Sequence, residues 1–441
     1  MIPTEFALRF LCGLLLNPQG LGSFHACEKG LWPLTVLDRW LPASGQFAAM
    51  FCYFDNNATT RVAPEVIDAL VPFLRDNWGN PSSAYQFGSK VGKDVEAARE
   101  RVAALIHADP KEVVFTSCGT ESNNAAFHSA LSLQPEKRHV LTTAVEHSAN
   151  IKYCQFLQKK GYEVTFLAVE SDGSLDLHLL DQSIRPDTAI VSVMWANNET
   201  GVLFPIEEVA AICQSKGVPF HTDAVQAAGK IKIDVKALGV DCLSLSAHKL
   251  HAPKGIGMLY VRRKSKFQPY LMGGHQERGR RGGTENVAGI VAFGKAAELA
   301  LAHLNEENTR VRAMRDRLET TILSKIPNAI RNGGKEPRLP NTSNIAFDGI
   351  EAEAILMQLD QAGICASSGS ACTTGSLEPS HVLTAMGVSP MRARGSMRFS
   401  LGIYNTDAEV DHALERLPGI VEKLRAISPS AEEPAKVLAT A

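Results

Sequence analysis

The chain has 441 residues, of which 45% are hydrophobic and 21% charged, the mix of an ordinary folded protein of about two to three domains. Its 45 lysine and arginine residues are balanced by 47 aspartate and glutamate residues, so no net field would attract nucleic acid or an anionic membrane. Composition therefore argues against disordered, fibrous, nucleic-acid-binding and membrane-surface proteins.

Residues 1–49 differ from the rest of the chain. Residues 6–16 form an apolar run that is far shorter than the roughly 20 residues of a membrane span, and no basic start or small-residue cleavage site marks a signal peptide. We expect residues 1–49 to be an extension that the folded domain does not need, or a mispredicted start; an interaction or targeting role is the alternative. Residues 428–441, rich in Ser, Pro and Ala, are predicted to be a flexible tail.

Strand and helix patterns alternate in the first half of the chain. Short apolar runs predict buried strands at residues 113–116, 140–143, 164–167, 189–195, 218–221 and 242–245. A helix is predicted to have Pro205 in its first turn and to end at Gly217. This alternation predicts an α/β fold, with a mostly parallel central sheet covered by helices, in a large domain at residues 50–288.

The pattern changes at about residue 289. A long helix is predicted at residues 290–325 and a second helix near residues 352–362, with strands at residues 344–347 and 397–400. These elements predict a smaller α+β domain at residues 289–427.

The nine cysteines include no CxxC pair. A chain of this size can bury a core without disulfides, so we expect reduced thiols and a cytoplasmic location. His248 and His251 are three residues apart, but no further ligands lie nearby in the sequence, so no metal site is predicted.

Polar residues with suitable chemistry follow three of the predicted strands. Lys249 ends one apolar run, where burial would lower its pKa and allow a Schiff base with an aldehyde cofactor. Asp223 follows another strand and could keep a pyridinium nitrogen protonated. Thr120 follows a third strand at the start of a helix, where its hydroxyl and backbone N–H groups could hold a phosphate. Because ligands collect at the carboxyl ends of parallel strands, these three residues together indicate one cofactor site.

A series of ordered motifs resembles a known family. They lie at residues 55–60, 79–83, 120–124, 146–147, 197–201, 223–226, 246–249, 253–255, 273–277, 282–286 and 367–372. The sequence resembles the NifS-type cysteine desulfurases, which are fold-type I pyridoxal 5'-phosphate enzymes of the class V aminotransferase superfamily. The resemblance extends from about residue 52 to about residue 424.

The resemblance implies pyridoxal 5'-phosphate as cofactor and a role for each matching residue. Lys249 would hold the cofactor covalently and later move protons, and Asp223 would pair with the ring nitrogen. Gln226 and Asn198 would contact the phenolic oxygen. The phosphate would be held by Gly119, Thr120, Ser246 and His248, with Thr284 reaching it from the neighbouring subunit of a homodimer.

The resemblance also implies how L-cysteine is bound. His147 would stack on the cofactor ring and act as an acid and base, since an imidazole titrates near the working pH. Arg398 would bind the substrate carboxylate through two parallel hydrogen bonds, and Asn198 would also contact the substrate.

Cys372 decides which reaction follows. It lies in a Ser-, Gly- and Thr-rich run at residues 366–376, which predicts an exposed loop. A loop thiolate can attack the sulfur of bound cysteine and then carry that sulfur to an acceptor. Cys365, beside the apolar Ile364, is predicted to be buried.

The predicted function is therefore a homodimeric cysteine desulfurase that makes L-alanine and a persulfide on Cys372, and that supplies an iron–sulfur scaffold or another sulfur-acceptor protein. A selenocysteine lyase, a class V aminotransferase and a catalytically silent scaffold are the alternatives. Two residues depart from the usual family pattern: Cys118 and Ala252 stand where glycine is common. The additional Cβ of Cys118 could tighten or tilt the phosphate site and so change the cofactor affinity.

Overall fold

The computed structural model describes residues 50–334, 337–368 and 378–428. All of them belong to one of the two compact units into which the chain divides, Ala49–Ala441. Cys372 lies outside the described residues.

A seven-stranded sheet forms the centre of the larger part of this unit. Its strands are β2 (Val113–Thr116), β3 (His139–Thr143), β4 (Glu163–Leu167), β5 (Thr188–Ser192), β6 (Phe220–Asp223), β7 (Cys242–Ser246) and β8 (Gly257–Val261), in the order β2-β8-β7-β6-β5-β3-β4. Pairs among β3 to β7 are parallel, whereas β8 is antiparallel to both β2 and β7. Every residue of β2, β3, β5, β6 and β8 is buried, because helices cover the sheet.

The helices of this part are α1 (Pro64–Arg75), α2 (Gln86–Leu105), α3 (Gly119–Leu133), α4 (Ser148–Lys159), α5 (Leu177–Ser183), α6 (Ile206–Ser215), α7 (Val235–Leu238) and α8 (Val287–Glu306). Helix α8 packs against α2 and α1, and α3 packs on β7 and β8. One core cluster joins the sheet to α2 and α8, with Phe115, Val95 and Phe293 among its members.

A π-helical segment, Glu307–Val311, connects α8 to α9 (Arg312–Lys325) without a break. The combined stretch Val287–Lys325 is the one helix among the described residues that is long and apolar enough, by length and composition alone, to cross a membrane. Phe293 and Ala296, in its N-terminal third, are fully buried in the core cluster shared with α2, as in a core helix.

A smaller region is built on a four-stranded antiparallel sheet and a separate two-stranded pair. The sheet contains β9 (Ala329–Arg331), β10 (Thr342–Phe347), β12 (Ser367–Ser368) and β13 (Ser396–Ser400), in the order β12-β13-β10-β9. Its helices are α10 (Ala352–Gln361), α11 (His381–Ala385), α12 (Pro390–Arg394) and α13 (Asp407–Ile427). The pair joins β1 (Cys52–Tyr53) in parallel to β11 (Ile364–Cys365), so the first described strand lies against the C-terminal region.

The structure corrects four details of the sequence prediction. Strand β8 was not predicted, and the strand expected at residues 218–221 begins at Phe220 and ends at Asp223. Pro205 lies one residue before α6 as its N-cap rather than in its first turn. Cys365, expected to be buried, is only partly buried: in β11 the side chain of Ile364 is buried, and the next side chain along the strand is not fully covered.

Candidate active site

A cavity of about 330 Å³ opens at the carboxyl ends of the strands of the large sheet. Segments that follow β2, β3, β5, β6 and β7 contribute to its wall, as expected for a ligand site in an open parallel sheet. Every predicted site residue that the structure describes, except Thr284, lines it. The lining residues are Asn57, Ala58, Cys118, Gly119, Thr120, Asn123, His147, Met194, Asn198, Asp223, Val225, Gln226, Ser246, His248, Lys249 and Arg398.

The N-terminus of α3 forms one end of the cavity. Cys118 is its N-cap, and no side chain caps the first turn, so its backbone N–H groups are available to an anion. A Cβ at Gly119 would lie 3.0 Å from Cγ2 of Val225 and 3.4 Å from Cβ of Ser246. Glycine therefore keeps open the space in front of the helix, which suits a phosphate group.

Asp223 lies at the end of β6 with its carboxylate held from two sides. The Asn123 side-chain amide donates to Oδ2 at 2.7 Å, and the backbone N–H of Val225 donates to Oδ1 at 3.0 Å. Two neighbouring amide oxygens, Oδ1 of Asn123 and Oε1 of Gln226, are buried without a hydrogen-bond partner among the described residues. Buried polar atoms of this kind call for a partner, and a polar group bound in the cavity could donate hydrogen bonds to them.

Lys249 enters the cavity from a short 3-10 turn, Ala247–Lys249, directly after β7. Its Nζ donates to the carbonyl oxygens of Asn57 and Ala58, the latter at 2.6 Å. His248 contacts Oγ1 of Thr59 through Nδ1 at 3.1 Å. Burial, aided by the charge of Lys249, lowers the pKa of His248 to about 4, so its ring is neutral near pH 7.

His147 caps the N-terminus of α4. Its Nδ1 accepts the backbone N–H of Ala149 at 3.2 Å, so the neutral ring carries its hydrogen on Nε2. Burial lowers the pKa of His147; the charge of Asp223 opposes this shift and that of Lys249 adds to it. The ring is therefore neutral near pH 7, which is the protonation state that a general base needs.

Arg398 lies in β13 on the other side of the cavity and is 3% exposed. One terminal nitrogen donates to the carbonyl oxygen of Asn198 at 3.0 Å, and the other donates to Oδ1 of Asp55 at 2.7 Å. Its Nε is buried with no partner among the described residues. Each terminal nitrogen also carries a second N–H that neither of these two hydrogen bonds uses.

The comparisons with known proteins agree with this geometry. A family model of the class-V aminotransferases matches residues 52–413. A cysteine desulfurase of Nostoc sp. is 57% identical over 377 residues, 86% of this chain and 94% of that protein. The cysteine desulfurase NifS of Azotobacter vinelandii is 52% identical over 394 residues, 88% of this chain and 98% of that protein. The chain belongs to the cysteine desulfurases of the class-V aminotransferase family.

Solved structures extend the comparison to the fold. A NifS-like protein matches this desulfurase with a TM-score of 0.80 at 38% identity, covering 85% of this chain and 100% of its own. SspA in complex with cysteine matches with a TM-score of 0.72 at 36% identity, covering 80% and 100%. The α/β fold predicted from the sequence is confirmed.

Two predicted site residues are not among the described residues that line the cavity of this desulfurase. Thr284 is exposed and does not line the cavity of its own chain. Cys372 is outside the described residues, but both flanks of its segment are described. Ser367 is paired with Arg398 in the β12–β13 ladder. On the other flank, the hydroxyl of Ser380 donates to Oε2 of Glu199 at 2.5 Å.

His381 adds a second contact on that flank, since its Nε2 lies 2.9 Å from the backbone oxygen of Glu146. Glu146 and Glu199 adjoin His147 and Asn198 in the sequence. The chain thus leaves and re-enters the described structure next to residues of the cavity.

Sequence reasoning did not assign roles to Asn57, Asn123 or Met194, which line the cavity. Asn57 belongs to the motif at residues 55–60, which was noted only as part of the family resemblance. Asn123 follows Gly119 by four residues, one helical turn, so its position on the same face of α3 was a usable signal. Met194 had no signal beyond its place at the end of an apolar run.

Proposed function

We propose that this desulfurase binds pyridoxal 5'-phosphate, converts L-cysteine to L-alanine, and leaves the sulfur as a persulfide on Cys372. The observation that carries the proposal is the convergence, in one cavity, of an amine, a carboxylate, an open helix N-terminus and a buried guanidinium with an unpartnered N–H. Each of these groups has the chemistry to bind a different part of pyridoxal 5'-phosphate or of L-cysteine.

The residues present fit the cofactor. Gly119, Thr120, Ser246 and His248 would hold the phosphate, with Thr284 of a second copy of this chain contributing in a homodimer. Asp223, fixed by two donors, would pair with the ring nitrogen, and the side chains of Gln226 and Asn198 would face the phenolic oxygen. When bound, pyridoxal 5'-phosphate supplies an aldehyde for an amine and an electron-withdrawing ring.

The protein's own groups would then bind the substrate and move its protons. Arg398 would bind the carboxylate of L-cysteine, and Asn198 would contact the substrate beside it. Lys249 would hold the cofactor covalently at rest and, when displaced by the substrate amine, carry protons at Nζ. His147 would stack on the ring and, with its Nδ1 unprotonated, would exchange protons with the substrate.

The sulfur step balances without an added oxidant. The Cys372 thiolate bonds to the substrate sulfur as the substrate's carbon–sulfur bond breaks. A proton takes the place of sulfur on that carbon, so one L-cysteine and one thiol give one L-alanine and one persulfide. We further propose that the enzyme works in the cytoplasm and passes the sulfur to an iron–sulfur scaffold or another acceptor protein.

Two variants test the function together. Cys372→Ser keeps the cavity, so it should retain the cofactor and change its absorbance when L-cysteine is added, yet form no protein persulfide detectable by mass spectrometry. Lys249→Ala should lose the covalently held cofactor and all turnover while its melting temperature shows a folded protein.

Three outcomes would contradict the proposal. Persulfide formation by Cys372→Ser at the wild-type rate would move the nucleophile to another thiol, with Cys365 the first to test. Loss of the cofactor from Cys372→Ser would mean that this cysteine is structural. Near-normal turnover by Lys249→Ala would remove the lysine from the mechanism.

A further inference from the structure

The charge partner of Arg398 comes from the opposite end of the chain. Oδ1 of Asp55 accepts a terminal N–H of Arg398 at 2.7 Å, although 343 residues separate the two. The side chain of Arg398 is 3% exposed and that of Asp55 is 20% exposed. A guanidinium this well buried is costly to leave without an opposite charge, so Asp55 keeps the cation of Arg398 where it is.

The backbone around Asp55 is fixed on both sides. Phe54 donates its N–H to the carbonyl oxygen of Cys365 at 2.8 Å and accepts the N–H of Ser400 at 2.8 Å. Asn56 donates its N–H to the carbonyl oxygen of Ser400 at 3.1 Å. Asp55 therefore stands between β11 and β13 on a backbone held by both, and its carboxylate has little freedom to move.

This contact determines which N–H groups of Arg398 remain for a ligand. Asp55 accepts one N–H of one terminal nitrogen, and the carbonyl oxygen of Asn198 accepts one N–H of the other. Together these bonds fix the plane of the guanidinium and leave the second N–H of each terminal nitrogen for a carboxylate. The Nε remains unpartnered among the described residues. Two-point binding of a carboxylate depends on such a fixed plane.

A second carboxylate interacts electrostatically with the same cation. The charge of Arg398 acts on Glu199, whose own pKa is raised by burial. Glu199 is engaged by the hydroxyl of Ser380 and adjoins Asn198 in the chain.

We propose that Asp55 is a positioning residue that fixes the guanidinium of Arg398 for the carboxylate of the substrate. The inference rests on the proposed function, in which Arg398 binds that carboxylate. Asp55 acts through Arg398 alone, so it serves ligands that carry a carboxylate and has no effect on ligands that lack one.

The test compares L-cysteine with cysteamine, the same amine and thiol without the carboxylate. In the holoenzyme, Asp55→Ala should raise the KM for L-cysteine by roughly 10-fold or more, the loss of one charged hydrogen bond, while kcat changes by less than about 3-fold. The dissociation constant of cysteamine, read from the cofactor absorbance, should change by less than about 2-fold. Asp55→Asn, which keeps the acceptor oxygen without the charge, should be intermediate.

Asp68→Asn, an exposed acid on α1, is the matched control and should leave both ligands unaffected. An unchanged KM for L-cysteine in Asp55→Ala, or an equal loss of cysteamine binding, overturns the inference. If Asp55→Ala does not fold, the isosteric Asp55→Asn gives the same comparison.

Arg398→Lys separates this inference from the proposed function. If Arg398→Lys raises the KM for L-cysteine and the Asp55 variants do not, only the role of Asp55 is wrong. If Arg398→Lys leaves that KM unchanged, the assignment of the carboxylate site itself fails.

Discussion

His147 is made a neutral acceptor by its place at the start of a helix. The backbone N–H of Ala149 points at its Nδ1, and the positive end of the α4 dipole disfavours an added charge there. Burial acts in the same direction and lowers the pKa of His147 from the ordinary value of 6.5. The ring should therefore stay neutral across the physiological pH range.

This shift predicts the acidic limb of the activity profile. A lowered pKa means that His147 takes up a proton only below pH 6.5, so kcat/KM for L-cysteine should hold down to about pH 6.5 and fall below it. The unfolded chain binds that proton first, so the free energy of unfolding should also decrease as pH falls below about 6.5. A pH series of kcat/KM with wild type and His147→Gln measures this; a limb centred above pH 6.5, or an unchanged limb in the variant, contradicts it.

Within the site, the reactive residues were easier to predict from the sequence than the contacts between them. Lys249, Asp223 and Thr120 could be placed together from sequence because each follows a strand of a parallel sheet, where the strand ends converge. The contact between Asp55 and Arg398 could not be predicted, because it depends on strand pairing between the two ends of the chain. Single-chain reasoning also gives no partner for Thr284, and the roles of the site residues stay predictions.

At the scale of elements, the parallel strands were predicted to within a few residues and β8 was missed. Between the end of β7 at Ser246 and Gly257 the link is too short for the dozen or more residues of a parallel crossover. The chain instead turns back as an antiparallel strand, which the alternation of strand and helix does not anticipate. Strands β1 and β11, of two residues each, are too short to give any periodic signal.

Strand β8 supports the phosphate end of the cavity from behind, at Gly257. A Cβ there would lie 2.7 Å from the backbone carbon of Cys118 and 2.8 Å from the carbonyl oxygen of Leu245. Neither backbone atom can move without shifting the start of α3 or strand β7. Gly257→Ala should therefore cost about 1–3 kcal/mol of stability and weaken cofactor binding, as measured by thermal melting and by cofactor titration of the apoenzyme.

Gly419→Ala is the matched control for this change. Gly419 lies inside α13 with open space where its Cβ would be, so alanine should be neutral or slightly stabilising there. If Gly257→Ala has the melting temperature and the cofactor affinity of the wild type, then the close approach of β8 to Cys118 does not restrict the side chain at residue 257 in solution.

At the scale of the whole molecule, the start of the chain can be tested by truncation. The described structure begins at Met50 and the family match begins at residue 52. A chain that starts at Met50 should therefore fold, bind pyridoxal 5'-phosphate and desulfurate L-cysteine with kcat/KM within about 2-fold of the full chain. Sedimentation and thermal melting of both chains provide the comparison. Aggregation, or a melting temperature many degrees lower, would show instead that residues 1–49 cover apolar surface of the folded part.

The domain boundary between residues 288 and 289 stays a prediction. The position of strand β1 matters for how such a boundary is defined. Its two residues pair with β11 at Ile364 and Cys365, so the smaller region includes chain from both ends. A single boundary in the sequence therefore cannot define the smaller region, because that region also includes strand β1 from the start of the described chain.

The pairing of β1 with β11 also limits how early this part of the structure can form during synthesis on the ribosome. Cys52 is made 312 residues before its partner Ile364 (364 minus 52), and at about 5–20 residues per second the interval is roughly 15–60 s. The large sheet, whose strands end at Val261, can assemble within that interval. Asn57 cannot reach its partner in β10, and Asp55 cannot reach its partner in β13, until those strands have emerged. The nascent enzyme can therefore acquire its sheet well before it acquires its substrate site, and premature termination anywhere before β13 leaves that site unbuilt.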